Sequence, residues 1–345
     1  AIGNGSTFWE QTAQWQAAIS YPGPRWSESW FNFYKVHNYA MTHEWFRYQS
    51  YWWHYYLTEK YGIDFIGKLW QHDTGKGQDP NEVLMHMLGI DATELYKMYF
   101  EYAMKMATID INYDNLNVEG INQIKSTPYR YDCIALTNKK YQVAYYSTPQ
   151  STGFNIIPLT VPEAGSTVSI DFTSLKQRAK LAEGDNAEYF NGDKDTKVSG
   201  TKTYYNVNSK YGSQRGFRLG YVALLKDGSR QYLYEDSLYC AEGGTGEKTV
   251  TVTATVPANT ESLYFVVSPA PKEYIQHQWD EDITNDDQWP YTIELNGVEM
   301  INAPEPYVAP TISDELPVTD ATITYDVNLP VTSNGLYTAL PVNVK

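Results

Sequence analysis

Cysteine is nearly absent from this sequence, with Cys133 and Cys240 the only two in 345 residues. A disulfide framework therefore does not hold the chain together, and the pair reads as buried thiols or at most one bridge. No stretch reaches the roughly 18 consecutive apolar residues that a membrane-spanning helix needs. Positive charge is also short: 26 Lys and Arg face 41 Asp and Glu, a net charge of -15 and a pI near 4.8. With no basic stripe to meet phosphate, nucleic acid is excluded as a partner, and an anionic membrane surface is disfavoured. Missing too are a Walker loop, a dinucleotide fingerprint, G-x-S-x-G and H-E-x-x-H. The nearest approach to the last is His43-Glu44-Trp-Phe-Arg47, where arginine, which does not ligate zinc, takes the second histidine's place. No targeting segment opens the chain either, and Ala1-Ile-Gly-Asn-Gly-Ser reads as the interior of a longer protein.

What is present is aromatic. Phe, Trp and Tyr make up 15% of the chain, 31 of them tyrosine, within a hydrophobic content of 42%. That is enough for real cores, and tyrosine suits surfaces that want apolar area with a polar tip. The first 110 or so residues carry helical periodicity and five of the six histidines. Predicted helices cover 6–20, with Thr7 and Glu10 spaced as a capping box, then 34–62, 63–71, 81–88 closed by Gly89, and one from Asp91 to about 110. From about Lys125 the period falls to two. Strands are predicted at 142–147, 167–172, 216–225, 231–234, 249–256, 262–267 and 291–295, parted by turns such as Asp227-Gly228 and Asn296-Gly297. The expected fold is α+β and multidomain: a helical lobe over 1–124, an antiparallel β-sandwich over 125–303, and over 304–345 a proline-rich linker with the start of a further β-domain.

The stretch Tyr34–Gly62 lacks proline and has no glycine before its end, so it reads as one long helix. On a 3.6-residue period His43, Arg47, Ser50 and His54 fall in one line, a polar seam on an aromatic helix and a candidate cleft wall. His43 and His54 stand about 16 Å apart on such a helix, too far to share an ion. They read as helix-face histidines, or one of them, with Arg47 or Tyr48, as a donor to a developing oxyanion. Asp110-x-Asn112-x-Asp114 has the alternation of a Ca2+ loop without its glycine and closing glutamate. The acidic run from Trp279 to Pro290 is a second Ca2+ candidate that also reads as a solvated loop, and Trp289-Pro290-Tyr291 reads as a sugar platform or as core.

FWEQTAQWQAAISYP, HEWFRYQSYWWHYYLTEKYGIDFIGKLWQ and DDQWPYTIELNG together resemble an uncharacterised family of secreted bacterial zinc-metallopeptidase-like proteins, over about residues 1–297. The resemblance implies a gluzincin-like helical lobe before a β-sandwich, and an H-E-x-x-H helix preceding Ala1. It makes Glu10 the third zinc ligand rather than only a cap, and it places His43, Tyr48 and Arg47 near the cleft as catalytic candidates. Zn2+ and peptide-bond hydrolysis then depend on that upstream segment. The alternative is a catalytically inactive, secreted or cell-surface module that binds a glycan or protein, or a structural part of a surface complex.

Overall fold

A computed structural model describes residues 6–306, apart from 24, 27–30, 73–78, 145–146, 176–195, 199–201, 205–213, 235–238, 241–246 and 278–285. Ala1–Tyr307 is one compact unit; the remainder, where the further β-domain was expected, lies outside the described residues. The helices are α1 (Ser6–Ser20), α2 (Phe31–Val36), α3 (Trp52–Tyr61), α4 (Phe65–Gln71), α5 (Pro80–Leu88), α6 (Ala92–Met106) and α7 (Leu116–Ser126). Local chemistry sets several ends. Asp79 Oδ1 accepts from the amides of Asn81 at 2.8 Å and Glu82 at 3.1 Å, with Pro80 as the first helical residue of α5. Gly89 ends that helix in the left-handed region, and Asp91 caps α6 through the Glu94 amide at 3.0 Å, both as expected. Among the described residues no helix is long and apolar enough to cross a membrane.

The long helix expected over 34–62 is three pieces. α2 stops at Val36, a 3-10 turn spans Glu44–Phe46, and α3 begins only at Trp52. The cause is long-range hydrogen bonding that displaces the i→i−4 ladder. The carbonyls of His37 and Asn38 accept the amides of Phe154 (3.0 Å) and Gln150 (2.9 Å). The amides of Ala40 and Met41 donate to the side chains of Gln150 (2.7 Å) and Thr152 (2.8 Å). The approach is close enough that a Cβ on Gly153 would lie 2.2 Å from the Asn38 carbonyl oxygen, which requires glycine there. The predicted line His43–Arg47–Ser50–His54 therefore does not exist as a helix face. The capping box fails as well: Thr7 lies inside α1 and its hydroxyl donates to the Thr42 carbonyl at 2.7 Å.

The strands are β1 (Cys133–Ala135), β2 (Lys140–Val143), β3 (Asn155–Leu159), β4 (Thr167–Ser174), β5 (Thr196–Val198), β6 (Lys202–Tyr204), β7 (Gly216–Leu225), β8 (Arg230–Leu233), β9 (Tyr239–Cys240), β10 (Lys248–Thr255), β11 (Thr260–Pro269) and β12 (Tyr291–Asn296). Every segment predicted as a strand overlaps one, though 142–147 shares only Gln142 and Val143 with β2; β1, β3, β5, β6 and β9 were not anticipated. One antiparallel sheet runs β1-β2-β12-β4-β10, a second β3-β11-β7-β8 with β9 beside β7, and β5-β6 is a separate hairpin. The two large sheets share an apolar cluster that includes Ile170, Phe172 and Ile293 from the first and Phe217, Tyr221 and Phe265 from the second. The second sheet is buried on both faces. On β11, Leu263, Phe265 and Val267 join that cluster, while Tyr264 and Val266 join the helical core with Tyr102 and Met104. Helices, second sheet and first sheet thus share cores in succession, and β7 and β11 read as near-continuous apolar runs for that reason. Cys133 is a free thiol with Sγ 3.8 Å from the Met300 sulfur, and burial pushes it up to about 12. The side chain of Cys240 lies outside the described residues.

Candidate functional site

Between α2 and α3 the chain runs as turns that turn alternate side chains in and out. In 3-10 geometry residues i and i+3 eclipse. His43 and Phe46 therefore share the inner side and are buried, while Trp45 and Tyr48 share the outer side, 46% and 41% exposed. Arg47 is half-buried, with its guanidinium 5.1 Å from the centre of the Tyr48 ring. Tyr39 stacks on His43 at 4.4 Å and meets Trp45 edge-on at 6.2 Å. α1 braces the same segment: Gln11 Nε2 donates to Ser50 Oγ and the Met41 carbonyl, each at 2.5 Å. Glu10 is half-buried on the same helix, between Thr7 and Gln11, the two residues of α1 that bond to this segment.

Beneath that face lies a knot of histidines and carboxylates, each 8% exposed or less. The Trp45 amide donates to His43 Nδ1 at 3.0 Å, which leaves the ring's proton on Nε2, directed at Asp286 Oδ2 at 3.2 Å. His277 comes from the segment between β11 and β12 and stacks on His43 with ring centres 4.5 Å apart. Its Nε2 bonds to Glu44 Oε2 at 2.8 Å, and its Nδ1 lies 3.2 Å from Asp286 Oδ1 at ion-pair distance. Gln150 Nε2 adds a third donor to Asp286 at 3.0 Å. Burial alone would lower the His277 pKa, but the Glu44 hydrogen bond and the charges of Asp286 and Glu44 outweigh it and raise it. Glu44 moves the other way: burial would raise it, yet the His277 hydrogen bond holds it below the usual carboxylate range. Beside the knot, burial pushes the Asp287 carboxyl up while the amide and hydroxyl of Ser151 and the indole of Trp289 donate to it.

His43, Glu44 and His277 are a group of metal-ligating type close enough to share an ion. Their chemistry as arranged is that of a closed salt-linked network. His277, its pKa raised, lies between two carboxylates and bridges them when it is protonated, and His43 Nδ1 accepts from a backbone amide. Little water reaches these groups, so the knot clamps the 43–45 turn to the 277–287 segment and holds Trp45 and Tyr48 outward.

Of the residues singled out from sequence, His43 is thus turned inward, Arg47 and Tyr48 lie on the outer face, and Glu10 is on the neighbouring helix. His54 is buried elsewhere, between Phe8 and Trp15. The calcium-like carboxylates are engaged by protein donors: Asp110 by Tyr232 at 2.6 Å and Asp114 by Arg25 at 2.5 Å. Most of the acidic run lies outside the described residues; Asp286 and Asp287 are in and beside the knot. Trp289 is fully buried, so it is a core ring rather than a platform. Sequence reasoning missed His277, whose signal was its isolation, the one histidine beyond residue 110 and set just before an acidic run. Apart from this site, a cleft of about 490 Å³ opens between α7, residues 128–132, β3 and β11, rimmed by the ion pairs Lys125–Glu261 (2.7 Å) and Arg130–Asp132 (2.6 Å).

Residues 1–302 match the family described as "Family of unknown function (DUF6055)". The chain belongs to this family. The match agrees with the expectation of an uncharacterised family and gives no support to its zinc-metallopeptidase part. No curated protein matches the chain. Among solved structures, this DUF6055 chain is similar to the CBM22-2 xylan-binding domain of Paenibacillus barcinonensis Xyn10C, at 12% identity and TM-score 0.24, covering 50% of this chain and 85% of that one. It is also similar to the K3 cleaved adhesin domain of Lys-gingipain from Porphyromonas gingivalis w83, at 8% identity and TM-score 0.19, covering 46% and 70%. Likenesses this distant carry no argument about function.

Proposed function

We propose that the chain is a noncatalytic binding module of a secreted or cell-surface protein, with its two large sheets forming a β-sandwich, and that it takes a glycan or protein ligand on the Trp45–Arg47–Tyr48 face. One observation supports this most. The same short turn buries a closed histidine–carboxylate knot and presents a tryptophan and a tyrosine to solvent beside an arginine. Trp, Tyr and Arg are the side chains that dominate binding surfaces, because they bring large contact area at low entropic cost. A braced backbone lowers the ordering cost of binding further. The cleft rimmed by Arg130 is the competing location for the ligand.

The test is binding of the whole chain to a glycan array and to purified candidate surface proteins, repeated with Trp45→Ala, Tyr48→Ala and Arg130→Ala. The expected result is at least tenfold weaker binding for the first two, with Arg130→Ala and the thermal midpoint little changed. Loss on Arg130→Ala alone would move the site to the cleft.

A zinc-peptidase reading is the second proposal, supported by Glu10 being half-buried on α1, the helix whose Thr7 and Gln11 bond to Met41, Thr42 and Ser50. It requires ligands and a general base from outside this chain. Zinc-dependent peptide hydrolysis by the longer protein, abolished by Glu10→Gln together with one equivalent of zinc, would displace the binding-module reading.

A further inference from the structure

The helical part holds a second pair of histidines, and its environment is opposite to that of the knot. His72 follows α4 as its C-terminal cap, in extended conformation, with its amide bonded to the Lys68 carbonyl at 3.0 Å. His86 sits in the last turn of α5, a helix fixed by Asp79 and Pro80 at one end and Gly89 at the other. The two rings meet at a tilt of 49°, with His72 Nε2 2.7 Å from His86 Nδ1. His86 is exposed and His72 half-buried, so solvent reaches both. Among the described residues neither ring is shown in an ion pair with a carboxylate, whereas His277 bridges two.

We propose that His72 and His86 form a two-imidazole site for a borderline divalent transition-metal ion such as Zn2+, Ni2+ or Cu2+. Metal–imidazole bonds of about 2.0–2.1 Å put two adjacent ligand nitrogens about 2.9–3.3 Å apart. The nitrogens therefore need to separate by only a few tenths of an ångström, with both rings turning about their side-chain bonds so that their lone pairs converge on the ion. The ion needs both lone pairs in the gap. The proton now between the rings moves to the outer nitrogen of the ring that carries it, so both imidazoles stay neutral and no net proton is lost. An all-nitrogen pair disfavours Ca2+ and Mg2+, which select oxygen, and among first-row ions favours Cu2+. Water fills the remaining coordination positions. Bound metal ties the end of α4 to the end of α5.

Calorimetric titration of the full chain with Zn2+, Ni2+ and Cu2+ at neutral pH tests this, with Cu2+ electron paramagnetic resonance as a second readout. The expected result is one site that weakens at least tenfold in His72→Gln and in His86→Gln, with two equatorial nitrogens in the parent spectrum and one in each variant. Glu10→Gln leaves that site unchanged. Because His86 is exposed, its variant keeps the parent circular dichroism, so lost binding is not lost folding. Parent affinity in both histidine variants, or metal lost only in Glu10→Gln, would overturn the proposal.

Discussion

The two apolar clusters of this molecule are built on different principles. The sheet cluster is mostly alternating aliphatic and aromatic residues from paired strands, such as Ile170, Phe172 and Ile293 facing Phe217 and Phe265. The helical cluster is richer in rings: alongside its aliphatic members, Trp52, Trp53, Tyr55, Tyr56, Tyr99 and Tyr102 pack ring on ring, and buried histidines lie among them. A core of the first kind is held by shape and pattern. One of the second kind also traps titratable groups, so solution conditions reach it in ways they do not reach the first.

The largest expected effect breaks that comparison with acid. His37 and His54 are fully buried, and desolvation lowers them to about 4 and about 3. Unfolded, each takes up a proton near pH 6.5. Folded, neither does so until well below that, so the unfolded state binds more protons across the interval and stability falls as pH drops below about 6.5. Linkage makes this on the order of 3 kcal/mol for each ring by pH 4. Denaturant unfolding from pH 8 to pH 4 should show the loss, and His54→Phe should remove close to half of its slope. An unaltered slope in that variant would place the acid sensitivity elsewhere.

The knot should respond with the opposite sign. Its histidine, His277, is raised by Glu44 and Asp286, so its contribution is complete below about pH 6.5 and lost as pH climbs through the raised folded value. Glu44, depressed by His277, contributes above its ordinary range and loses that contribution as pH falls through its lowered value. His43 and Asp287 also face this group. Replacing His277 by Gln leaves two buried carboxylates without their cation, at a cost of about 3–5 kcal/mol. The variant should unfold at lower denaturant at pH 6 and lose the alkaline limb of the parent's stability profile. A parent-like midpoint at pH 6 would show that the knot does not join the two parts energetically.

The same contrast explains what was legible in the sequence. Period-two alternation located strands such as β4 and β10, because a half-buried strand writes its burial into every second residue, whereas β7, buried on both faces, shows as a short apolar run. The short edge elements β1 and β9 carry too few residues to show a period. In the helical part, the local end signals at Gly89 and Asp91 were readable at their positions, while Asp79, the cap of α5, reads as loop. The break at residues 37–51 was not, because its cause is hydrogen bonding to Gln150, Thr152 and Phe154, more than a hundred residues away. Aromatic residues on every side of that stretch left no period to contradict a helix. The site followed suit: His43 could be picked out locally, but its partners His277 and Asp286 are brought to it only by the fold.

The smallest effect sharpens the comparison on the sheet side. Ile293 is fully buried on β12, opposite Phe172 of β4 and Tyr141 of β2. Ile293→Val removes one methyl group and should cost about 0.5–1.5 kcal/mol. The buried His37 and His54 pack on rings of the helical cluster, not of this one, so the loss should be the same at pH 8 and pH 5, measured as a parallel shift in denaturant midpoint with the slope unchanged. A cost that grows on acidification would mean that the second sheet, packed on both faces, passes the protonation state of the helical core through to β12. In that event the two cores would be one cooperative unit rather than two materials sharing a wall.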